Sequence, residues 1–390
     1  MALLMLALPA DYSLLEVLYL FAGYYAVHVA VLFFTLGAYS GSLRKGSPKA
    51  GTWFISFCLA FLLGMQGARG MLVIYGPLLV VEVFRYGVMV CSGKKSGQIE
   101  RKTGIWVLLN WLFNFLGGCL PISVNVGFSR NIRNGFYKLW EIVIPDMKSI
   151  LGFQNLGPFG CICLGMLFLN AICILLYTLF KICKKKKTEP IEWVYLVVCV
   201  SPVMTMVMVA FTTVESTGRY YFMFLVMLSM AAVMLLARQE RHLILAKVMC
   251  WGAVGYLMTS NFLNLYVPMI KSKEPPENDF GVVVEFLEEN EYLSGYATFE
   301  NANTMTLISN GKVKVSPVAS VEKMDICKWL SSKSWYPPEV PRNQITAYIV
   351  TESQIPEFGV FLAGKKIKKV QQVGKFYIYV SDHNYANITH

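Results

Sequence analysis

Runs of apolar residues long enough to cross a bilayer recur along the first 271 residues and then stop. A hydrocarbon core about 30 Å thick needs roughly 20 apolar residues as helix. Stretches near 14–38, 51–67, 70–91, 104–121, 158–180, 192–212, 219–237 and 246–267 meet or approach that length, so the pattern predicts about eight spans. The second is short and meets the third at Gly64-Met65-Gln66-Gly67-Ala68-Arg69-Gly70, which leaves two readings: separate spans or one re-entrant element. Residues 272–279 form a polar, Pro-bearing linker, and beyond them the period changes. FGVVVEFLEEN (280–290) has helical spacing, LSGYATF (293–299) reads as a strand, and 301–309 as a helix ending at the turn signal Asn310-Gly311. KVKVSPV (312–318) alternates as a strand, MDICKWL (324–330) is expected as a short helix, ITAYIVT (345–351) as a strand, and 367–381 as a hairpin about Val373-Gly374. The predicted fold class is therefore an all-α polytopic membrane helical bundle (1–271), a linker (272–279) and a small C-terminal α/β domain (280–390).

Composition agrees with that division. Of 390 residues, 55% are hydrophobic and 15% charged, well short of the charge content of an ordinary soluble domain. The net +11 is uneven: residues 1–271 carry 23 Lys+Arg against 10 Asp+Glu, and the remainder 12 against 14. A basic excess confined to the apolar part argues against nucleic acid as a partner, which needs cations on a solvated face, and assigns the excess to loops. Sixteen cations lie in four alternate connections, at Arg44 to Lys49, Arg85 to Lys102, Lys181 to Lys187 and Arg238 to Lys247; seven are spread over the others. The positive-inside rule puts the sixteen in the cytoplasm. A multi-pass cell-membrane protein with an extracytoplasmic C-terminal domain is the expectation. Met1 to Ala10 is apolar but has no basic flank of the kind a signal peptide carries, and is expected to be the end of a span that begins upstream.

Cysteine and histidine add little. Nine of the ten cysteines lie in or beside apolar segments and only Cys327 falls in the tail, which gives no disulfide framework. His28, His242, His383 and His390 are too scattered for a metal motif, so no metal is expected. Among polar residues within spans, His28, Asn110 and Asn114 are read as groups hydrogen-bonded within the bundle, and Glu82 and Arg85, three apart, as a local ion pair.

Two places ask for more. In Gln66-Gly67-Ala68-Arg69-Gly70, small residues let the backbone turn tightly, and Arg69 is a cation on the sparsely charged side that can hold a phosphate by paired hydrogen bonds. In Glu215-Ser216-Thr217-Gly218-Arg219-Tyr220-Tyr221, a carboxylate, a guanidinium and two tyrosines lie within seven residues. Arg219 there opens a helix, where the dipole disfavours a cation, and an anionic partner would offset that. The connection 122–157 mixes Arg130, Arg133, Lys138, Glu141, Asp146 and Lys148 with aromatics; it is read as an interfacial helix or one wall of a site.

The Gln66-Gly67-Ala68-Arg69 turn, the Arg219-Tyr220-Tyr221 run, and in the tail Gly295-Tyr296-Ala297-Thr298-Phe299-Glu300-Asn301-Ala302-Asn303 followed by Ser309-Asn310-Gly311-Lys312-Val313 resemble bacterial multi-span membrane glycosyltransferases of the C-type (GT-C) superfamily, over most of this chain. The resemblance implies no cofactor but a lipid-linked substrate: a polyprenyl-phosphate sugar, transferred with inversion to an extracytoplasmic glycan, lipid or protein acceptor. It implies that a carboxylate acts as general base on the acceptor hydroxyl, a role for which Asp11 and Glu215 are the candidates. It further implies that Arg69 and Arg219 are phosphate-binding or structural arginines; Gln66, Tyr220 and Tyr221 beside them complete the candidate binding set. A transporter or flippase of lipid-linked or anionic substrates is the alternative class.

Overall fold

The computed structural model describes residues 23–45, 49–93, 98–120, 134–151, 156–212, 214, 216, 218–267, 279–327, 332–337 and 339–386. The chain divides into two compact units, Met1–Lys271 and Ser272–His390.

The first unit is helical: α1 (Gly23–Lys45), α2 (Ala50–Met65), α3 (Gly76–Cys91), α4 (Gln98–Gly118), a broken helix α5 (Gly135–Lys138 and Ile144–Ile150 joined by a π-helical turn), α6 (Pro158–Cys183), α7 (Pro190–Ala210), α8 (Met223–Ala237) and α9 (Ile244–Asn261). Among the described residues, three helical segments are long and apolar enough to cross a membrane: Met71–Cys91, Pro158–Cys183 and Pro190–Ala210. Ala50–Met65 and Met223–Ala237 are apolar but shorter. Apolar side chains such as Phe54, Leu62, Leu169 and Leu176 are exposed on these helices, the surface a lipid solvent requires. The molecule is a membrane protein. Within it α7 is the central helix, with 67% of its apolar window buried, and it packs against α1, α3 and α8.

Glycine and asparagine decide how α2 meets α4. A Cβ on Gly64 would lie 2.0 Å from the Asn114 carbonyl oxygen, and one on Gly117 would lie 2.1 Å from that of Phe61, so the two backbones touch. Small residues that let backbones approach, with polar bonds between the helices, are how such a pair is held where apolar burial alone does not hold it. Asn114 Nδ2 donates to the Ala60 carbonyl at 2.8 Å, and Trp106 Nε1 to Ser56 Oγ at 2.9 Å. Asn110 instead donates to its own helix, at the Trp106 carbonyl. Asn114 and Trp106 are thus the α4 side chains whose polar bonds reach α2.

The Glu82–Arg85 spacing gives the expected ion pair in α3. Arg85 Nη2 and Nε reach the two Glu82 oxygens at 2.7 and 2.9 Å, and the Tyr39 hydroxyl of α1 donates to the same carboxylate at 2.7 Å.

The second unit is a six-stranded sheet in the order β3-β2-β1-β4-β6-β5, built from β1 (Ser294–Thr298), β2 (Lys314–Ser320), β3 (Asp325–Ile326), β4 (Thr346–Thr351), β5 (Lys368–Val373) and β6 (Phe376–Ser381). β2, β1 and β4 are parallel, and the outer pairings are antiparallel. Alternation along β4 sends Ala347 and Ile349 to a core shared with α10 (Asp279–Glu289) and α11 (Phe299–Ile308). Tyr348 and Val350 go to a second core with α12 (Ile355–Leu362). Both faces are thus covered, as a sheet with parallel crossovers requires. The predicted helix at 324–330 is not seen where the chain is described: Asp325 and Ile326 extend β2's edge as β3, and 328–330 lie outside the described residues. α12 was not predicted, because Pro356 and Gly359 hide its helical period.

Two outcomes follow. Gly64→Ala forces the α2 and α4 backbones apart and costs about 1–3 kcal/mol, whereas Gly118→Ala, whose Cβ would meet the Gly64 oxygen at an ordinary 3.5 Å, is near neutral; unfolding in mixed micelles compares them. Burial raises the Tyr296 and Tyr348 phenol pKa values, so the unfolded chain loses those protons first. The stabilisation they carry is full below about pH 10 and declines as pH rises toward the folded values. A urea midpoint for proteolysis of the second unit that stayed constant to pH 11.5 would contradict this.

Candidate functional site

Arg69 owes its place to the turn between α2 and the segment leading to α3. Gln66 caps α2 through its N–H to the Leu63 carbonyl at 3.1 Å, and its side chain is exposed. Gly67 has φ +102°, a conformation L side chains rarely adopt. A Cβ on Gly70 would sit 2.9 Å from Asn114 Nδ2, so that glycine lets the turn lie against α4. A π-helical turn, Met71–Tyr75, then leads into α3. Such a turn disturbs the carbonyl ladder, and Ser201 Oγ of α7 donates to the Val73 carbonyl at 2.8 Å, tying the turn to the central helix.

The two sequence segments singled out meet at this end of the bundle. The Arg69 guanidinium carbon lies 5.3 Å from the centroid of the Tyr220 ring, within cation–π range, and both residues are half-buried. Tyr220 and Tyr221 lie in a 3-10 turn, Gly218–Tyr221, just before α8. Tyr221 is fully buried, with its hydroxyl 2.8 Å from Ser216 Oγ. A guanidinium can meet an aromatic ring and still present N–H donors to an anion.

α5 forms the neighbouring wall. Lys138 Nζ donates to the Thr212 carbonyl at 2.9 Å and also to that of Val214. The Phe136 ring meets Phe211 edge-on at 5.3 Å, and Gly135 is needed because a Cβ would lie 2.2 Å from that Phe211 ring. Asp146 acts electrostatically on the Tyr221 phenol, which brings a described carboxylate to the cluster. The connection 122–157 was expected as an interfacial helix or one wall of a site, and Lys138 and Asp146 lie on its helical part, 135–150. Their partners are backbone carbonyls and a phenol distant in sequence, so spacing carried no signal for the contact.

Not every candidate falls on described residues. Asp11 and Glu215 lie outside them, and Arg219 is described only as backbone of the 3-10 turn. Among the described residues no three His, Cys, Asp or Glu side chains gather as metal ligands.

The motif residues of the second unit have local structural work. A Cβ on Gly295 would lie 2.8 Å from the Ala347 carbonyl oxygen, so glycine lets β1 lie beside β4. Thr298 Oγ1 accepts from Asn301 Nδ2 at 3.0 Å and Gln354 Nε2 at 3.3 Å, joining the ends of those two strands. Ser309 Oγ bonds the Val313 carbonyl at 3.1 Å and accepts from its N–H at 3.2 Å, while Asn310 and Gly311 take positive φ to close the turn.

No protein-family model matches this chain, and no curated protein and no solved structure matches it.

If Lys138 latches α5 to the 212–214 segment, Lys138→Met leaves two carbonyls without that donor, a loss of about 1–3 kcal/mol. Hydrogen exchange of the amides over 135–150 is then expected to accelerate; unchanged exchange would show that the latch carries no weight.

Proposed function

We propose that this protein is a multi-pass membrane glycosyltransferase that takes a sugar from a polyprenyl-phosphate carrier and transfers it to an acceptor outside the cytoplasm. The observation that supports this reading is the convergence of Arg69 and Tyr220, from two segments about 150 residues apart, at the end of the bundle that carries few cations. In this reading the chain crosses the membrane about eight times, the Arg69 end faces outward, and the second unit is extracytoplasmic. The carrier's phosphate rests against Arg69 and Arg219, with Gln66, Tyr220 and Tyr221 around it.

The chemistry is a single displacement. A carboxylate takes the acceptor's hydroxyl proton, and the acceptor oxygen forms a bond to the anomeric carbon. The bond from that carbon to the phosphate oxygen breaks, and its electron pair leaves with the polyprenyl phosphate, where cations offset the developing charge. Asp11 and Glu215 are the proposed bases; Glu215 adjoins Ser216, whose hydroxyl meets Tyr221. Asp146, at the same cluster, is a third carboxylate for the role.

The full chain reconstituted in proteoliposomes with radiolabelled polyprenyl-phosphate sugars tests the reading. Transfer is expected, with Arg69→Ala and Arg219→Ala each lowering kcat/KM about 10²-fold, the scale of losing one donor to developing charge. No transfer with any donor, or unaltered rates in both variants, would remove the enzyme reading. Movement of intact donor across the bilayer without bond cleavage would identify a flippase instead.

A further inference from the structure

A cleft of about 480 Å³ opens at the opposite end of the first unit, where α1, α3 and α6 terminate and α7 begins. Arg69 and Arg85 lie on one continuous helical segment, 16 residues apart, or about 24 Å at 1.5 Å per residue, so this cleft is remote from the Arg69–Tyr220 cluster. Its polar wall holds Arg44, Arg85, Lys185, Lys186 and Lys187 against one carboxylate, Glu189. Leu43, Val88 and Trp193 supply an apolar wall.

The nearby carboxylates are already engaged. Glu189 caps α7 in a capping box with Glu192. Glu192 receives both Lys181 bonds, at 2.8 Å each, and the Glu189 N–H, while Glu82 is held by Arg85 and Tyr39. Lys185, Lys186 and Lys187 are exposed and add their charge to the cleft. Lys185 is also strained: it has φ +52° at the left-handed position of the Schellman motif that ends α6, where Lys186 N–H bonds the Lys181 carbonyl and Lys185 N–H that of Ile182. Glycine is the residue that position favours. A cation held there at a conformational cost is a feature that binding would explain.

We propose that this cleft binds a phosphate-bearing anion, a phosphomonoester or diphosphate, with the lysines and Arg44 around the phosphate and Trp193 and Val88 against the rest of the ligand. The volume suits a small ligand, and a basic pocket between membrane helices is the arrangement that takes anionic headgroups. The group comes either from a lipid headgroup or from a soluble phosphate compound. This inference does not depend on sugar transfer, since its readout is binding.

The test uses the full chain in nanodiscs. One arm titrates inorganic pyrophosphate into phosphatidylcholine discs by calorimetry; the other measures retention of phosphatidic acid doped into the discs by native mass spectrometry. Saturable binding of one molecule is expected in at least one arm, and which arm responds names the source. Each lysine is worth about fivefold, so the triple variant Lys185→Gln, Lys186→Gln, Lys187→Gln is expected to weaken binding at least tenfold. An equal charge removal away from the cleft, Lys49→Gln, Arg101→Gln, Lys102→Gln, is expected to change it less than twofold. Lys185→Gly separates binding from folding, because it should raise the melting temperature while weakening binding. Saturable binding in neither arm, or equal losses in the two triple variants, overturns the proposal.

Discussion

The first unit depends on backbone contact between α2 and α4. Gly64 and Gly117 let the two helices approach until a methyl group would collide with a carbonyl, and Asn114 spends its amide on the Ala60 carbonyl inside that seam. The same amide limits Gly70, so the turn bearing Arg69 is set against α4 by the contact that joins the helices. Glycine loses more backbone freedom on folding than any other residue, so the close contact it permits and the Asn114 bond within it must offset that cost. Shifting the seam by a methyl group would move the guanidinium relative to Tyr220.

A second constraint works from the other side. The π-helical turn between Arg69 and α3 is steadied by Ser201 of α7, next to Pro202. Pro202 has no N–H to give the preceding turn, so the middle of α7 combines a lost donor with a hydroxyl that serves the neighbouring segment. The central helix thereby fixes the turn that the α2–α4 seam positions. At the far end of that same segment Glu82, Arg85 and Tyr39 form a buried, fully bonded group beside the cationic cleft. One continuous segment therefore links an arginine in cation–π contact with a tyrosine to an arginine matched to a carboxylate.

Much of the architecture was legible from period and spacing. The apolar runs located the helices, the three-residue spacing of Glu82 and Arg85 gave their pair, alternation gave β2, and β1, β4 and the hairpin near Gly374 also read as strands. The tight turn at Gln66–Gly70 was legible because Gly67 and Gly70 have no other physical reason to flank an arginine. The meeting of Arg69 with Tyr220 was not, since it depends on how non-adjacent helices pack in space. The partners of Lys138 and Asp146 were hidden for the same reason, although their segment was expected as an interfacial helix or one wall of a site. The cationic cleft escaped because its lysines had been assigned to a loop facing the cytoplasm, an account that explained their charge without asking what lay between them. α12 was missed through a local conflict, with Pro356 and Gly359 inside a helix that is held by Phe358 and Phe361 in the second core.

The proposed phosphate site requires that Arg69 and Tyr220 act together. A double-mutant cycle of Arg69→Ala and Tyr220→Ala, read as affinity of the full chain in nanodiscs for polyprenyl phosphate, measures their coupling. A coupling of about 0.5–2 kcal/mol is predicted, the range of a partly desolvated cation–π pair. Strictly additive losses, or no effect of either substitution, would contradict it.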